Sequence, residues 1–328
     1  MHILILGGAG MVGRKLVERL VADGHLGQRP IERITLFDVV QPHAPAGSPI
    51  AFRTVAGDLS VPGQPELLVA SRPDVVFHLA AIVSGEAEAD FEKGYRINLD
   101  GTRGLFEAIR LSGDDYAPRL VFTSSIAVFG APFPENGIYD EFNLTPLTSY
   151  GTQKAIGELL LADYSRRGFF NGVGIRLPTI CVRPGKPNKA ASGFFSGIIR
   201  EPLNGHEAIL PVEETVRHWH ASPRAAVEFL LHAATMDTAP LGQRRSLTMP
   251  GLSATIGEQI DALRRVAGET VARRIRREPD GAVMRIVSGW PETFNARRAE
   301  EFGFRAEKSF DDIIRVYIED ELGGRVPA

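Results

Sequence analysis

Short apolar runs alternate with longer stretches of helical spacing through the first half of the chain. "HILIL", "RITLFD", "DVVFHLA" and "RLVFTSS" are nearly continuous in apolar and β-branched residues, the pattern of strands buried on both faces. Between the first two lies "MVGRKLVERLVADG", where Val12, Leu16, Val17 and Leu20 recur at helical spacing and Gly24 marks the end. "INLDGTRGLFEAIRLSG" and "TQKAIGELLLADYSRRG" repeat the helical pattern, and "GVGIRLPTICV" adds another strand. Strands alternating with helices predict an α/β fold of Rossmann type, a doubly wound parallel sheet.

The rhythm breaks after Pro184. "RPGKPNKAASGFFSG" reads as loop, while "SPRAAVEFLLHAATM", "ATIGEQIDALRRVAG" and "SFDDIIRVYIEDELG" read as helices, the last capped by Ser309. There is no internal repeat, low-complexity tract or linker. The expected organisation is a nucleotide-binding domain over 1–184, to which 216–240 returns, and a smaller C-terminal substrate-binding cap formed mainly by 185–328.

Composition narrows the function. The chain has 328 residues, 23% charged and 44% hydrophobic, an ordinary globular balance. A formal net charge of −3 exerts no general pull on nucleic acid or acidic membranes, so neither is expected as a partner. No apolar run approaches the roughly 18 residues of a membrane span. The single cysteine, Cys181, lies in "IRLPTICV" and reads as a small buried hydrophobe. It excludes an internal disulfide and fits a reducing, cytoplasmic setting. The N-terminus lacks the basic n-region of a signal peptide.

Chemistry enters at "ILILGGAGMVG", a glycine cluster between the first strand and the first helix. It parses as Gly8-x-Gly10-x-x-Gly13 or as Gly7-x-x-Gly10-x-x-Gly13. Either way glycine permits the tight turn and close backbone approach to a pyrophosphate, which the helix N-terminus faces through Met11, Val12 and their neighbours. Asp38 ends the second strand, where a carboxylate meets the adenosine ribose hydroxyls and repels a 2′-phosphate. NAD is therefore expected over NADP, with Arg14 and Arg33 as the nearby cations.

Tyr150 and Lys154 stand four residues apart in "SYGTQKA", on one face of a helix. A tyrosine holds its proton to a pKa of roughly 10, and a neighbouring ammonium favours the phenolate. Tyr150 could then take the proton of a substrate hydroxyl while hydride leaves the same carbon. Ser125, at the end of "RLVFTSS", could hold the substrate oxygen.

With these pieces in the order "GGAGMVG", Asp38, "GDL", "HLAA", "NLDGT", "SSIAVFG", "YGTQK" and "IRLPTICVRPG", the chain resembles the extended short-chain dehydrogenase/reductases, which include nucleotide-sugar epimerases and dehydratases. The resemblance covers about the first 185 residues. It implies Ser125 as the catalytic hydroxyl (with Ser124 its less favoured neighbour), Tyr150 as the base and Lys154 as the residue on the nicotinamide ribose. It implies that Asn98 helps relay protons, a role compatible with its reading as a helix N-cap. Asp58 and Leu59 match the adenine pocket. Leu79, Ala80 and Pro178 match the remaining cofactor wall, with Gly7, Gly10 and Gly13 in the turn. It also implies a homodimer built on the helices around 98–112 and 150–166.

The second half departs from the sugar-nucleotide pattern. "PTICVRPGKP" and "RHWHASPRAA" replace the segments those enzymes usually carry, which argues against a nucleoside-diphosphate ligand. Arg183, Lys186, Lys189, Arg217, His218 and His220 could gather positive charge for a small carboxylate, with Ser84 as a further substrate contact. On a strand, His218 and His220 would share one face; no third ligand completes a metal site, and none is expected. These stretches resemble the branch of the family that oxidises the C2 hydroxyl of D-erythronate, a four-carbon sugar acid, to the 2-oxo acid. The competing expectations are a nucleotide-sugar 4-epimerase or dehydratase with tightly held NAD, and a non-catalytic NAD-sensing module.

Overall fold

The near-continuous apolar runs become strands of a seven-stranded sheet in the computed structural model, which describes residues 1–185 and 192–326. In chain order the strands of this sheet and of a three-stranded one are β1 (His2–Leu6), β2 (Arg33–Asp38), β3 (Ala51–Ala56), β4 (Val75–His78), β5 (Arg119–Ser125), β6 (Asn171–Leu177), β7 (Thr179–Ile180), β8 (Arg217–Ala221), β9 (Ser246–Thr248) and β10 (Leu252–Thr255). The large sheet runs β9-β6-β5-β4-β1-β2-β3. Its pairs β5–β4, β4–β1, β1–β2 and β2–β3 are parallel. The fold class is the one expected, α/β with a Rossmann-type sheet. Strand order reverses between β1 and β4, where such sheets open a crevice at their carboxyl ends.

The principal helices are α1 (Met11–Asp23), α2 (Gly101–Leu111), α3 (Ser149–Arg166), α4 (Gly193–Leu203), α5 (Pro223–Thr235), α6 (Ile256–Ala267) and α7 (Phe310–Leu322). Helix α1 buries Leu16, Val17 and Leu20 and ends at Gly24 in the left-handed conformation. Ser309 caps α7, its hydroxyl accepting from the Asp312 amide at 3.2 Å. No helix among the described residues is long and apolar enough to cross a membrane.

The chain divides into two compact units. The first comprises Met1–Val128, Pro146–Arg176 and Val227–Leu247. Leu4, Leu6, Val76, Leu105, Phe106, Leu120 and Phe122 form its core with Leu161 of α3. The second comprises Phe129–Thr145, Leu177–Ala226 and Thr248–Ala328. There β8 pairs antiparallel with β10 and parallel with β7. Phe195, Ile198, Ile199, Ile260, Leu263, Ile313 and Ile314 fill its core.

One local expectation changes, and one strand carries no apolar signature. "GFFSG" opens α4 rather than extending the loop, because Phe195, Ile198 and Ile199 recur at helical spacing and are fully buried. "AFRTVA" forms the edge strand β3, whose exposed and half-buried positions lack the apolar run that marks the inner strands. Lys186 and Lys189 lie outside the described residues.

Candidate active site

The glycine turn follows β1 at the reversal of strand order. Gly7 has φ +90°, and the amides of Gly7 and Gly8 both donate to the Phe37 carbonyl, at 2.8 and 3.1 Å. A Cβ on Gly7 would come within 2.8 Å of the Ala80 amide nitrogen, and one on Gly13 within 2.2 Å of the Gly7 carbonyl oxygen. Gly10 caps α1 without a side-chain bond, and the first turn holds no acidic residue. The geometry is that of the Gly7-Gly10-Gly13 parse, with Met11 and Val12 half-buried at the helix start. Free backbone N–H groups and a positive dipole end are left for an anion.

Asp38 sits half-buried at the end of β2, its Oδ2 accepting from the Ala9 amide at 2.9 Å. The carboxylate is thus fixed against the glycine turn. Asp58 accepts from the Ser60 amide at 2.9 Å and from Arg96 Nη1 at 2.6 Å. Burial opposes its charge, but the Ser60 and Arg96 bonds outweigh that and hold its carboxyl below the usual range. Leu59 beside it is buried. Leu79 continues the β4 pairing by donating to the Leu6 carbonyl at 2.9 Å, and Ala80 follows against Gly7. Arg96 escaped the sequence reading because a lone arginine on a helical pattern carries no signal of its partner. The residues present therefore fit a dinucleotide: a cradle open only to glycine, a free helix start and a carboxylate at the second strand end.

The end of β5 separates the two serines. Ser124 is buried and donates to Glu158, which also receives Arg176 Nη2 at 2.8 Å. Ser125 is half-buried, its Oγ accepting from the Ala127 amide at 3.1 Å. Ser125 is the last residue of β5. Thr148 caps helix α3, its hydroxyl accepting from the Gly151 amide at 3.1 Å. Gly151 is demanded by contact, since a Cβ would lie 2.1 Å from the Ala127 carbonyl oxygen.

Lys154 is buried and donates Nζ to the Thr123 carbonyl at 2.7 Å, with Nζ 4.9 Å from the Phe122 ring centroid and 5.7 Å from that of Tyr150. Burial lowers its pKa to about 8, against the opposing charge of Glu158. Burial, then the charge of Lys154, lowers His78 to about 3, so its ring is neutral. Its Nε2 meets Thr102 Oγ1 at 2.8 Å, and that hydroxyl donates to the Asn98 carbonyl at 2.7 Å. The proton of the imidazole therefore lies on Nε2.

Asn98 does not cap a helix. It lies buried in a π-helical turn, Tyr95–Asp100, and its side chain reaches the Ile82 backbone instead. Such turns interrupt helices at functional sites. Ser84 is half-buried at the start of a short helix, Ser84–Ala89.

The remaining expected contacts belong to the second unit. Pro178 is buried between β6 and β7. Arg183 donates Nε to the Ile180 carbonyl at 2.8 Å and Nη2 to Ser192 at 3.0 Å. Arg217 pairs with Glu258 at 3.2 Å, which moderates the positive charge expected of it. His218 and His220 do share a face of β8: His218 stacks on Phe195 at 5.2 Å, and the two rings meet edge-on at 5.5 Å. Burial lowers the pKa of His218 to about 4 and that of His220 well below its ordinary value. Both are neutral, so neither supplies the charge first expected. Burial pushes the Cys181 thiol up to about 12. Among the described residues no cluster of three His, Cys, Asp or Glu could hold a metal.

The NAD dependent epimerase/dehydratase family matches residues 3–239. The chain is 50% identical to a D-erythronate dehydrogenase of Cupriavidus necator over 98% of each chain. It is 40% identical to one of Haemophilus influenzae over 98% of this chain and 100% of that protein. It is also 67% identical to a nucleoside-diphosphate-sugar epimerase from Agrobacterium tumefaciens whose crystal structure superposes with a TM-score of 0.97, covering 100% of this chain and 96% of that one. The chain therefore belongs to the NAD dependent epimerase/dehydratase family, as an oxidoreductase acting on CH–OH groups with NAD as its cofactor.

Proposed function

We propose that the protein oxidises the C2 hydroxyl of a small sugar acid, D-erythronate, to the 2-oxo acid. One observation carries this reading: likeness to the two D-erythronate dehydrogenases runs through 98% of the chain. A UDP-glucose 4-epimerase of Mycolicibacterium smegmatis, by contrast, is 33% identical over only 50% of it. The alignments to the two D-erythronate dehydrogenases extend through the half of the chain that this 4-epimerase alignment leaves uncovered, as does the likeness to the Agrobacterium protein.

In this proposal Gly7, Gly10 and Gly13 with the start of α1 hold the pyrophosphate, Asp38 the adenosine ribose and Asp58 with Leu59 the adenine side. NAD, when bound, accepts the hydride. Ser125 donates its hydroxyl to the substrate oxygen and Tyr150 removes that oxygen's proton. Lys154 favours the phenolate through its charge. Its burial and its tie to Thr123 keep it in place through turnover. Arg183 and Arg217 orient the carboxylate, and Ser84 and Asn98 complete the substrate side and the proton path. The lone buried cysteine suits a reducing cytoplasm.

Incubating the protein with D-erythronate and NAD and following NADH absorbance tests the reading. Steady NADH formation supports it. The name of the Agrobacterium protein favours a second reading, epimerisation of a nucleotide sugar, in which hydride returns to the substrate and no net NADH accumulates. Turnover of UDP-glucose or UDP-galactose, with no NADH from any C4 to C6 aldonate, would overturn the first reading in favour of the second.

A further inference from the structure

Gln153 precedes Lys154 on α3 and is fully buried. A primary amide is a costly way to fill space, because each of its polar atoms needs a partner once water is excluded. Here Oε1 accepts from Asn98 Nδ2 at 2.8 Å, while Nε2 is buried without a partner. The backbone makes room for it: a Cβ on Gly94 would lie 2.7 Å from Nε2.

Asn98 spends its remaining capacity on one residue. Its Oδ1 accepts from the Ile82 amide at 2.9 Å and its Nδ2 donates to the Ile82 carbonyl at 3.2 Å. The side chain thus grips both backbone groups of Ile82, as a neighbouring strand would. Ile82 lies two residues past Ala80, whose amide closes against Gly7. The main chain of Asn98 is itself fixed through Thr102 and His78. An unbroken series of bonds therefore runs from the helix of Tyr150 and Lys154, through Gln153 and Asn98, to the backbone behind the glycine turn.

We propose that Gln153 is a positioning residue for NAD: by orienting Asn98 it fixes residues 80–82, the wall of the cofactor cradle. The inference deepens the preceding reading and rests on its NAD site, but not on the identity of the sugar acid. Its effect falls on cofactor affinity first, since neither amide atom of Gln153 bonds to Tyr150 or Lys154.

The test titrates NAD into the full-length apoprotein by calorimetry, with no substrate present. Gln153→Met keeps the length of the side chain and removes the acceptor. The expected result is a dissociation constant for NAD at least tenfold above wild type, and a loss in turnover assays borne more by KM for NAD than by kcat. Asn98→Ala should weaken NAD similarly, and the double variant should be no weaker than the worse single, because both cut the same series. If Gln153→Met does not fold, Gln153→Thr, smaller beside Gly94, takes its place with the same expectation. NAD affinity within twofold of wild type, or strictly additive losses in the double variant, overturns the proposal. Failure of D-erythronate as substrate would leave this titration standing, so the two outcomes are separable.

Discussion

Lys154 donates its ammonium to the carbonyl oxygen of Thr123 at 2.7 Å, two residues before Ser125 on the same strand. The cation of the YxxxK helix is thereby tied to the strand that presents the candidate hydroxyl. Tyr150 enters the same arrangement from one turn earlier on α3.

Tyr150→Phe removes the proton acceptor and keeps the ring. Turnover should fall at least about a hundredfold, the lower end of what a positioned general base contributes. NAD affinity should stay within a few-fold of wild type, measured by titration. Retained turnover would exclude the phenol as base.

Lys154 makes stability depend on pH. Its folded pKa of about 8 lies below the ordinary 10.5, so between those values the unfolded chain binds the proton and the native protein does not. Native stability must then rise with pH through that window, and the full cost of burying the ammonium is felt below pH 8. The change amounts to roughly 3 kcal/mol if the whole shift is realised. Denaturant titrations of wild type and Lys154→Met at pH 7 and pH 10 isolate it: the wild type should gain relative to the variant. A flat difference would mean that the lysine is not desolvated.

Glu158 and Arg176 form a buried pair, 4% and 6% exposed, in which Arg176 Nη2 lies 2.8 Å from the carboxylate. Arg176→Met leaves the carboxylate buried beside Ser124 without its counter-ion, at a cost of about 3–5 kcal/mol. Urea unfolding should show that loss. Replacing Glu158 and Arg176 together by Leu and Met should recover part of it.

Asp38→Asn keeps an oxygen for the Ala9 amide and removes the negative charge at the end of β2. The ratio of kcat/KM for NADP to that for NAD should rise about tenfold, the equivalent of ~1.4 kcal/mol. An unchanged ratio would assign cofactor choice elsewhere.

Leu111 on α2 and Leu159 on α3 are each 66% exposed, large apolar side chains on the helices proposed to form a homodimer. Leu159→Lys should shift the solution mass toward the monomer in light scattering. A wild-type protein that is already monomeric at micromolar concentration would rule the dimer out.

The strands and the YxxxK pair were legible because each leaves a local signature: a run of apolar residues, or two side chains at a fixed helical interval. The Asn98–Ile82 clamp was not, since its partners lie sixteen residues apart and nothing in "RINLD" announces a π-helical turn. Gln153 was hidden for the same reason; an amide inside "YGTQK" looks like any polar helix position until Asn98 is found against it. Alternation puts the histidines of β8 on one face, but their neutrality comes from burial, which pattern alone does not disclose. Ser309 could be read as a cap because that bond is made within one turn.

The first unit is assembled from Met1–Val128, Pro146–Arg176 and Val227–Leu247. Ser125 and Tyr150 are thus parted by a segment that belongs to the other unit. The second unit cannot be transplanted as one cassette by a single genetic crossover. A gene truncated after codon 176 would likewise encode a sheet missing β9 and most of α5, so an autonomous cofactor-binding fragment should not be recoverable by trimming from the C-terminus.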